Sequence, residues 1–465
     1  MNIELPSMVE NGPAHSKIVI CGAGISGIAT AYFLCVAQGI TDVLLIDKGS
    51  PLSLTSDKST ECYRNWWPGP GDAMVSLMNR SITLMEGMAN ANGNLFQMNQ
   101  RGYLYVTTRE ENIAGLQGAA EEAASLGAGD LRIHDEDTND YQPHQAEGIA
   151  SRLDGADLIL NRAFIQKQFP YLSPSVCAAL HVRRAGWLSA QQYGMWMLEQ
   201  AKARGLQFKQ GNLTGIDVEG GCVRGIQLAD GMRIACDIFV NAAGPLAEEI
   251  GDLMGVELPL TNELHLKSSI EDGLAVLERE APLVICADSQ RLDWTAEESE
   301  ILRNDPHASW LLNELPMGAH TRPEGGLEGS NILLLWDARE NFSPAKFPIE
   351  VEPMEAEIAL RGIRRIIPGL QAYLEKMPRP FIDGGYYTKT QENRPLATPL
   401  SIEGAHFVGA SSGYGIMAAA GLGELVAQYI AGQSLPEYAA AFHIKRYQGA
   451  AYQELLKGWG QNWQL

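Results

Sequence analysis

Residues 17–27 read KIVICGAGISG, and twenty positions past the last of those glycines the chain reaches LLID, which ends on Asp47. No charged side chain occurs from Ile18 to Thr41, a run long enough to cross a bilayer as one helix. The residue types argue against that. Ile18, Val19 and Ile20 favour a strand, and Gly22 and Gly24 interrupt any continuous helix. The run divides into a buried strand (18–21), a helix (24–39) and a second strand (42–47), the first part of a βαβ unit. Gly22-x-Gly24-x-x-Gly27 then falls on the strand-to-helix turn. The first glycine permits the tight turn, the second lets a pyrophosphate approach the backbone, and the third lets helix and strand pack closely. Ile25 and Ser26 open the helix whose N-terminus faces the phosphates. Asp47, with Lys48 beside it, is placed to hydrogen-bond a ribose hydroxyl. The stretch reads as a dinucleotide cradle.

The 465 residues are 45% hydrophobic and 20% charged, an ordinary globular composition with core enough for two to three domains. A formal charge of −21 argues against nucleic acid or an anionic membrane surface as partner, since both need clustered Lys and Arg. Arg361, Arg364 and Arg365, at helical spacing, read as a solvated helix face. Seven cysteines form no C-x-x-C pair and no Cys/His metal spacing, so no metal is expected. Several lie in apolar runs, which fits a reducing cytoplasm. Glu4 and Glu10 precede the apolar run without a basic n-region, so a cleavable signal is not expected.

Further along, 74–91 and 111–128 have helical apolar spacing, and 102–108 alternates like a strand. Ser189 is placed to cap a helix that leads to a strand near 210. Short strands punctuated by GG and DG turns follow to residue 241, a strand is expected at NILLLWD (331–337), and 405–432 reads as strand, glycine-rich loop and helix. No internal repeat is present.

Three later segments decide which dinucleotide. DIFVNAAGPLAEEIG (237–251), GGYYTKTQENRPL (384–396) and FVGASSGYGIMAAAGLGELVA (407–427) resemble, in this order, motifs of the D-amino-acid oxidase, sarcosine oxidase and glycine oxidase superfamily. The resemblance implies FAD, and an α/β fold in which a Rossmann-type FAD-binding domain carries an inserted α+β substrate domain with an antiparallel sheet. The FAD-binding pieces are then 1–94, 181–257 and 382–465, the last with a C-terminal helix; the substrate pieces are 95–180 and 258–381. It also implies cofactor contacts from Ala243, Gly244, Gly413, Tyr414, Gly415, Ile416 and Met417. A glycine-rich loop feeding a helix near Ile416 would aim N–H groups and a positive dipole end at the flavin.

The chain departs from the family in three places. Asp47 replaces the usual Glu, and Thr390-Gln391-Glu392-Asn393 replaces the TPD triplet, with Arg394-Pro395 following. Within LTSDKSTECYRNWWPGPG (54–71), Ser59 and Thr60 line up with a pattern whose last member, in dimethylglycine dehydrogenases, is a His tethered to FAD. Cys62 occupies that position. A Cys62 tether and an unreactive packed thiol beside non-covalent FAD are the two alternatives.

The activity implied is oxidation of the C–H beside the nitrogen of an amino acid or amine, by hydride transfer to flavin N5, giving an imine that can hydrolyse. Arg64 or Arg394 would clamp a substrate carboxylate. Tyr63, Trp66 and Trp67 would line the pocket or pack the domain junction. His265 shares a strand face with Lys267 and is either a base or polar contact or a satisfied core histidine. Of Tyr386 and Tyr387, one points inward. The electron acceptor (oxygen, a quinone or a protein) and the oligomeric state stay open. So do three other functions: oxidation of an aromatic or alkaloid-like amine, an NAD(P)H-dependent flavin monooxygenase, and an electron-transfer subunit.

Overall fold

The computed structural model describes residues 16–459 apart from 68, 136–139, 152 and 352. Glu4 and Glu10 lie outside the described residues. The strand Ile18–Cys21 is the centre of a six-stranded sheet. The order across the sheet is Leu396–Pro399, Ala405–Gly409, Ile238–Asn241, Ile18–Cys21, Val43–Asp47 and Gln207–Gln210. All neighbours are parallel except the first pair. A parallel sheet covered on both faces needs unbroken apolar strands, and IVIC supplies one. Ile18 and Ile20 pack with the helices Ile25–Tyr32, Ala190–Lys202 and Gly415–Ala431. Val19 and Cys21 face the opposite way, into a core shared with the antiparallel strands Leu213–Glu219, Cys222–Leu228 and Arg233–Ala235. The charge-free run is thus divided among three elements, and no helix among the described residues is long and apolar enough to cross a membrane. The first helix is shorter than its apolar run: it ends at Tyr32 and continues as a π-helical turn, Phe33–Ala37.

The second layer is a nine-stranded sheet. Its order is Phe381–Lys389, Thr261–Glu271, Asn331–Leu335, His320–Glu324, Leu283–Cys286, Tyr103–Thr107, Ala178–Val182, Ala156–Ile159 and Leu131–His134. Neighbours are antiparallel except Leu283–Cys286 with Tyr103–Thr107 and Leu131–His134 with Ala156–Ile159, so the sheet is mixed rather than wholly antiparallel. Alternation along Tyr103–Thr107 turns Tyr103 and Tyr105 toward the first layer, and Leu104 and Val106 toward a separate core under the helix Glu355–Ile363. The expected boundary at 382 cuts a strand that pairs along its whole length with Thr261–Glu271, so the chain returns to the first layer only at Leu396. Likewise Ala178–Val182 runs past the boundary at 180. Arg361 and Arg364, on the far helix, pair with Glu298, Glu357 and Asp293.

The helix Gly415–Ala431 crosses both Ile25–Tyr32 and Ala73–Ala91 at close range. A Cβ at Gly423 would lie 2.8 Å from the Ala29 carbonyl carbon and from Thr30 N, and one at Gly421 would lie 2.7 Å from Leu77 Cδ1. Ser81 Oγ donates to Met417 O at 2.5 Å and accepts from Gly421 N at 3.1 Å, which pins the crossing. Gly423→Ala meets backbone that cannot swing away, so it should lower the urea-derived stability by about 1–3 kcal/mol. Gly87→Ala, on an exposed face of Ala73–Ala91 with open space around it, should raise it by about 0.5–1 kcal/mol.

Candidate functional site

The carboxyl ends of the parallel strands, those of Ile18–Cys21, Ile238–Asn241 and Ala405–Gly409 among them, open into one cleft, which is where an open α/β sheet places its ligands. Two of the three motif glycines are demanded by the fold itself. Gly22 has φ +111°, and a Cβ there would collide with Ala242 O; a Cβ on Gly27 would collide with Gly22 O. Gly24 is different. It lines the cleft, and the nearest described atom to an added Cβ is Ser56 Oγ at 3.4 Å, an ordinary contact. Packing within the chain does not require Gly24, whereas a ligand lying against the backbone would.

The helix that follows, Ile25–Tyr32, starts without a side-chain cap from its N-cap residue Gly24 and without an acid in its first turn. Ile25 N donates to Ser56 Oγ at 3.0 Å. Asp47 accepts from Ala23 N at 2.7 Å and from Gly49 N at 2.8 Å, one bond to each oxygen. Those bonds orient the carboxylate at the cleft and leave lone pairs for a hydroxyl. Ser26 lines the cleft too, and the exposed Lys48 stands at its rim.

The second strand end supplies Ala243 and Gly244, held by Asn241, whose amide donates to Ala247 O at 2.8 Å. The third supplies Gly409 to Ser412, in which Ala410 (φ +58°) and Ser412 (φ +44°) adopt left-handed backbone. Ser411 Oγ is buried there without a hydrogen-bond partner among the described residues. Gly415 then opens the helix Gly415–Ala431, again with no side-chain cap and no acid in the first turn. Two such helix starts and an orphaned hydroxyl around one cleft fit a cofactor carrying negative charge. The turn from Leu52 to Ser56, Asn212 and Thr388 also line it. Sequence reasoning missed them: SPLSLTS signals only a turn, and nothing local ties Asn212 to the cradle.

The other expected cofactor residues lie outside the cleft lining. Ser59 O accepts from Lys267 Nζ at 2.7 Å, and Thr60 O accepts from Arg322 Nη2 at 2.9 Å and from Cys62 Sγ at 3.1 Å. Burial, opposed by the Arg322 charge, pushes the Cys62 thiol up, which keeps it protonated and unreactive. Gly413 abuts Tyr387, whose ring an added Cβ would meet at 2.6 Å. Tyr414 donates to Asn393 O and sets its ring edge on Trp67, while Ile416 and Met417 are buried in the closing helix.

Arg64, 4% exposed, lies 4.4 Å over the Trp67 ring and 5.6 Å from that of Tyr103, and its Nε donates to Trp66 O at 3.2 Å. Beside it the Trp66 and Tyr105 rings stand 5.4 Å apart, and Trp66 Nε1 and Tyr105 OH are both buried without a hydrogen-bond partner among the described residues. Pro68, in the same loop, lies outside the described residues. Arg394 instead donates to Pro70 O at 3.0 Å and stacks over Trp459 at 4.7 Å; burial pulls its pKa down. Tyr386 lines the cleft, with its hydroxyl engaged by the backbone N–H and carbonyl of Lys346. Tyr387 stacks on His265 at 3.7 Å.

The two carboxylates that flank His265 argue against the role of base that its strand position allowed. Its Nδ1 is hydrogen-bonded to Asp337 Oδ1 at 2.5 Å, and its Nε2 lies 3.0 Å from Glu263 Oε2 as an ion-pair contact outside hydrogen-bond geometry. Burial alone would lower its pKa, but Asp337 and Glu263 outweigh burial and raise it to about 9. Burial opposes ionisation of Glu263 as well, yet His265 and Lys389 bring it down to about 2. An imidazolium has no lone pair with which to take a proton.

Residues 17–429 match the model of the DAO family, FAD dependent oxidoreductase. Sarcosine oxidase subunit beta of Rhizobium meliloti (strain 1021) is 26% identical over 267 residues, covering 56% of this chain and 56% of that protein. Human mitochondrial dimethylglycine dehydrogenase is 22% identical, covering 90% of this chain and 42% of its own length. The chain spans about half the length of the curated relatives it matches. Among solved structures, L-proline dehydrogenase from P. horikoshii aligns with TM-score 0.71 and 19% identity over 94% of this chain and 98% of that one. Glycine oxidase from Geobacillus kaustophilus aligns with TM-score 0.70 and 15% identity over 94% and 100%. These likenesses at low identity establish the fold.

Gly24→Val should leave the unfolding midpoint within about 1 kcal/mol of wild type in apoprotein, a surface-like effect, while FAD content after gel filtration falls severalfold. Gly27→Val should instead fail to fold. The His265 cluster also carries a pH signature. A raised folded pKa stabilises fully below 6.5 and is lost as pH rises through about 9. Urea midpoints should therefore decline across that window, and His265→Gln should flatten the decline.

Proposed function

The chain belongs to the DAO family of FAD dependent oxidoreductases, and on that premise we propose that it oxidises the C–H beside the nitrogen of a small amino acid, with FAD held non-covalently in the cleft. The observation that carries this reading is the pair of unpartnered buried donors, Trp66 Nε1 and Tyr105 OH, beside the buried Arg64. Each unmade hydrogen bond in such a place costs about 1–3 kcal/mol, so the arrangement favours a ligand that makes them. A carboxylate fits all three groups: it accepts from the guanidinium, the indole N–H and the phenol O–H. The relatives and structural neighbours are named for sarcosine, dimethylglycine, proline and glycine, all of which carry that carboxylate.

The chain's own residues then bind and orient. Arg64 fixes the acid end, Trp66, Trp67, Tyr103 and Tyr105 exclude water, and the amine presents its adjacent C–H to the cofactor. Bound FAD supplies the hydride acceptor. No side chain need act as a strong base, which accords with an imidazolium at His265. The Cys62 thiol, buried and protonated, supports non-covalent attachment. Seven free cysteines support a cytoplasmic location.

Anaerobic titration of the purified flavoprotein with a panel of amino acids, N-methylated amino acids and aromatic amines tests the reading. At least one carboxylate-bearing amine should bleach the flavin; bleaching by NADPH alone would replace this function with a monooxygenase. Arg64→Met should raise KM roughly 10- to 100-fold, the weight of a charge-assisted hydrogen bond, with flavin content unchanged.

A further inference from the structure

The strand Thr261–Glu271 runs antiparallel to Phe381–Lys389, with Glu263 opposite Tyr387 and His265 opposite Gly385. Two-residue periodicity puts Glu263, His265 and Lys267 on one face, together with Asp383, Gly385, Tyr387 and Lys389 from the neighbouring strand. The Tyr387 ring lies diagonally over the imidazole, at 3.7 Å and 16° from parallel, beside the bare Gly385. From the other side, Asp337 follows the strand Asn331–Leu335 and meets His265 Nδ1. Lys389 closes the set by pairing with Glu263. Two cations then face two carboxylates, a neutral total that a buried cluster tolerates.

The far side of the Tyr387 ring faces the glycine loop. The ring carbon bearing the hydroxyl is 3.0 Å from where a Gly413 Cβ would stand. Among the described residues that hydroxyl has no hydrogen-bond partner, and burial, with the Asp337 charge behind it, raises its pKa so that it remains a donor.

We propose that His265 is a positioning residue: a fixed imidazolium, clamped between Asp337 and Glu263, on which the Tyr387 ring is stacked so that its hydroxyl is presented at the Gly413 loop to an acceptor atom of the bound substrate. This rests on the reading that an amino acid reacts beside that loop. The stacked cation holds the ring by its π face; the Asp337 hydrogen bond orients the imidazole and the Glu263 charge lies beside its Nε2. Lys267, which turns to Ser59 O, His320 beyond Asp337, and Cys62 near Tyr387 complete the ionisable surroundings. Burial holds Lys267 and His320 below their ordinary pKa values and Cys62 above its own.

The test has two arms on the flavin-loaded protein. In the first, ¹⁵N NMR of the histidine side chains at pH 7, assigned through His265→Gln, should show both His265 ring nitrogens protonated. In Asp337→Asn that state should titrate at least one pH unit lower. A single protonated nitrogen in wild type would overturn the proposal whatever the enzyme's substrate. The second arm uses whichever amine bleaches the flavin. Tyr387→Phe and His265→Gln should each raise KM about tenfold with kcat changed less than threefold, and the double variant should be no worse than either single one. His265→Phe, which keeps a stackable ring without the charge, should recover only part of the loss. Additive effects, or a normal KM in Tyr387→Phe, would overturn the proposal. If His265→Gln does not fold, Tyr387→Phe and the wild-type spectrum decide it. Should no amine bleach the flavin, the functional reading fails while the imidazolium assignment is still decided by the spectrum.

Discussion

The approach of Gly27 to Gly22, and of Gly22 to Ala242, is the constraint on which the molecule depends. Only bare Cα atoms allow the first helix to start directly above the first strand and the neighbouring strand end to close in beside it. That contact aims the opening amides of Ile25–Tyr32 along the cleft and brings Asp47 within reach of Ala23 N. The same economy recurs at the other end of the chain. Gly423 lets the closing helix lie across the first one and Gly421 lets it lie against Ala73–Ala91, so the loop from Gly409 to Ser412 arrives at the same cleft from 385 residues away. The two motifs are distant in sequence and a single object in space because glycine contacts fasten both to one helix crossing.

The second layer solves a different problem, which is to keep polar and charged groups dry without leaving them uncompensated. Arg322, 2% exposed, is balanced by Glu61 and Glu324; beside the first-layer strand Leu396–Pro399, Arg446 is balanced in the same way by Glu392, which also accepts from Tyr447 and Tyr452. Removing one member of such a set costs far more than the set contributes, so these groups read as devices that fix geometry. Against that background the buried donors left without partners stand out. Among those in the described residues, Ser411 Oγ lies at the cleft and Trp66 Nε1 and Tyr105 OH lie beside Arg64, where the proposed cofactor and substrate would meet them.

The first layer was legible because its determinants are local. IVIC, the glycine spacing, Asp47 and the returning segments each occupy a few consecutive residues, and the strand, turn and helix they imply stand within a residue or two of where the pattern puts them. The exception is the first helix, whose apolar run outlasts its α-helical turns. The second layer was legible only in outline. Its strands were visible at 102–108 and 331–337, but their neighbours are set by pairings up to about two hundred residues apart in sequence, which no local pattern carries. That is why a boundary drawn through 382 fell inside a strand.

The candidate site divides along the same line. Of the cleft lining, Gly22, Gly24, Asp47, Ala243, Gly244 and Gly415 were readable from local motifs, whereas Asn212, Thr388 and the turn ending at Ser56, whose hydroxyl takes the first helical N–H from 31 positions away, were not. His265 and Lys267 could be placed on one face from spacing alone, yet spacing says nothing about proton occupancy. The charge on His265 depends on Asp337, delivered by a strand 72 residues later, and on Glu263, two residues earlier, whose own state is set by Lys389. A histidine in an apolar-looking strand is therefore ambiguous in sequence and becomes definite once the sheet register is known. The register that sets Gly385 opposite His265 also leaves room for Tyr387 to cover it. Gly385 is thus the local mark of a long-range arrangement: an added Cβ would lie 3.2 Å from Thr55 Cα and 3.3 Å from Lys58 Cβ, so the bare Cα lets the turn that lines the cleft pack against this strand.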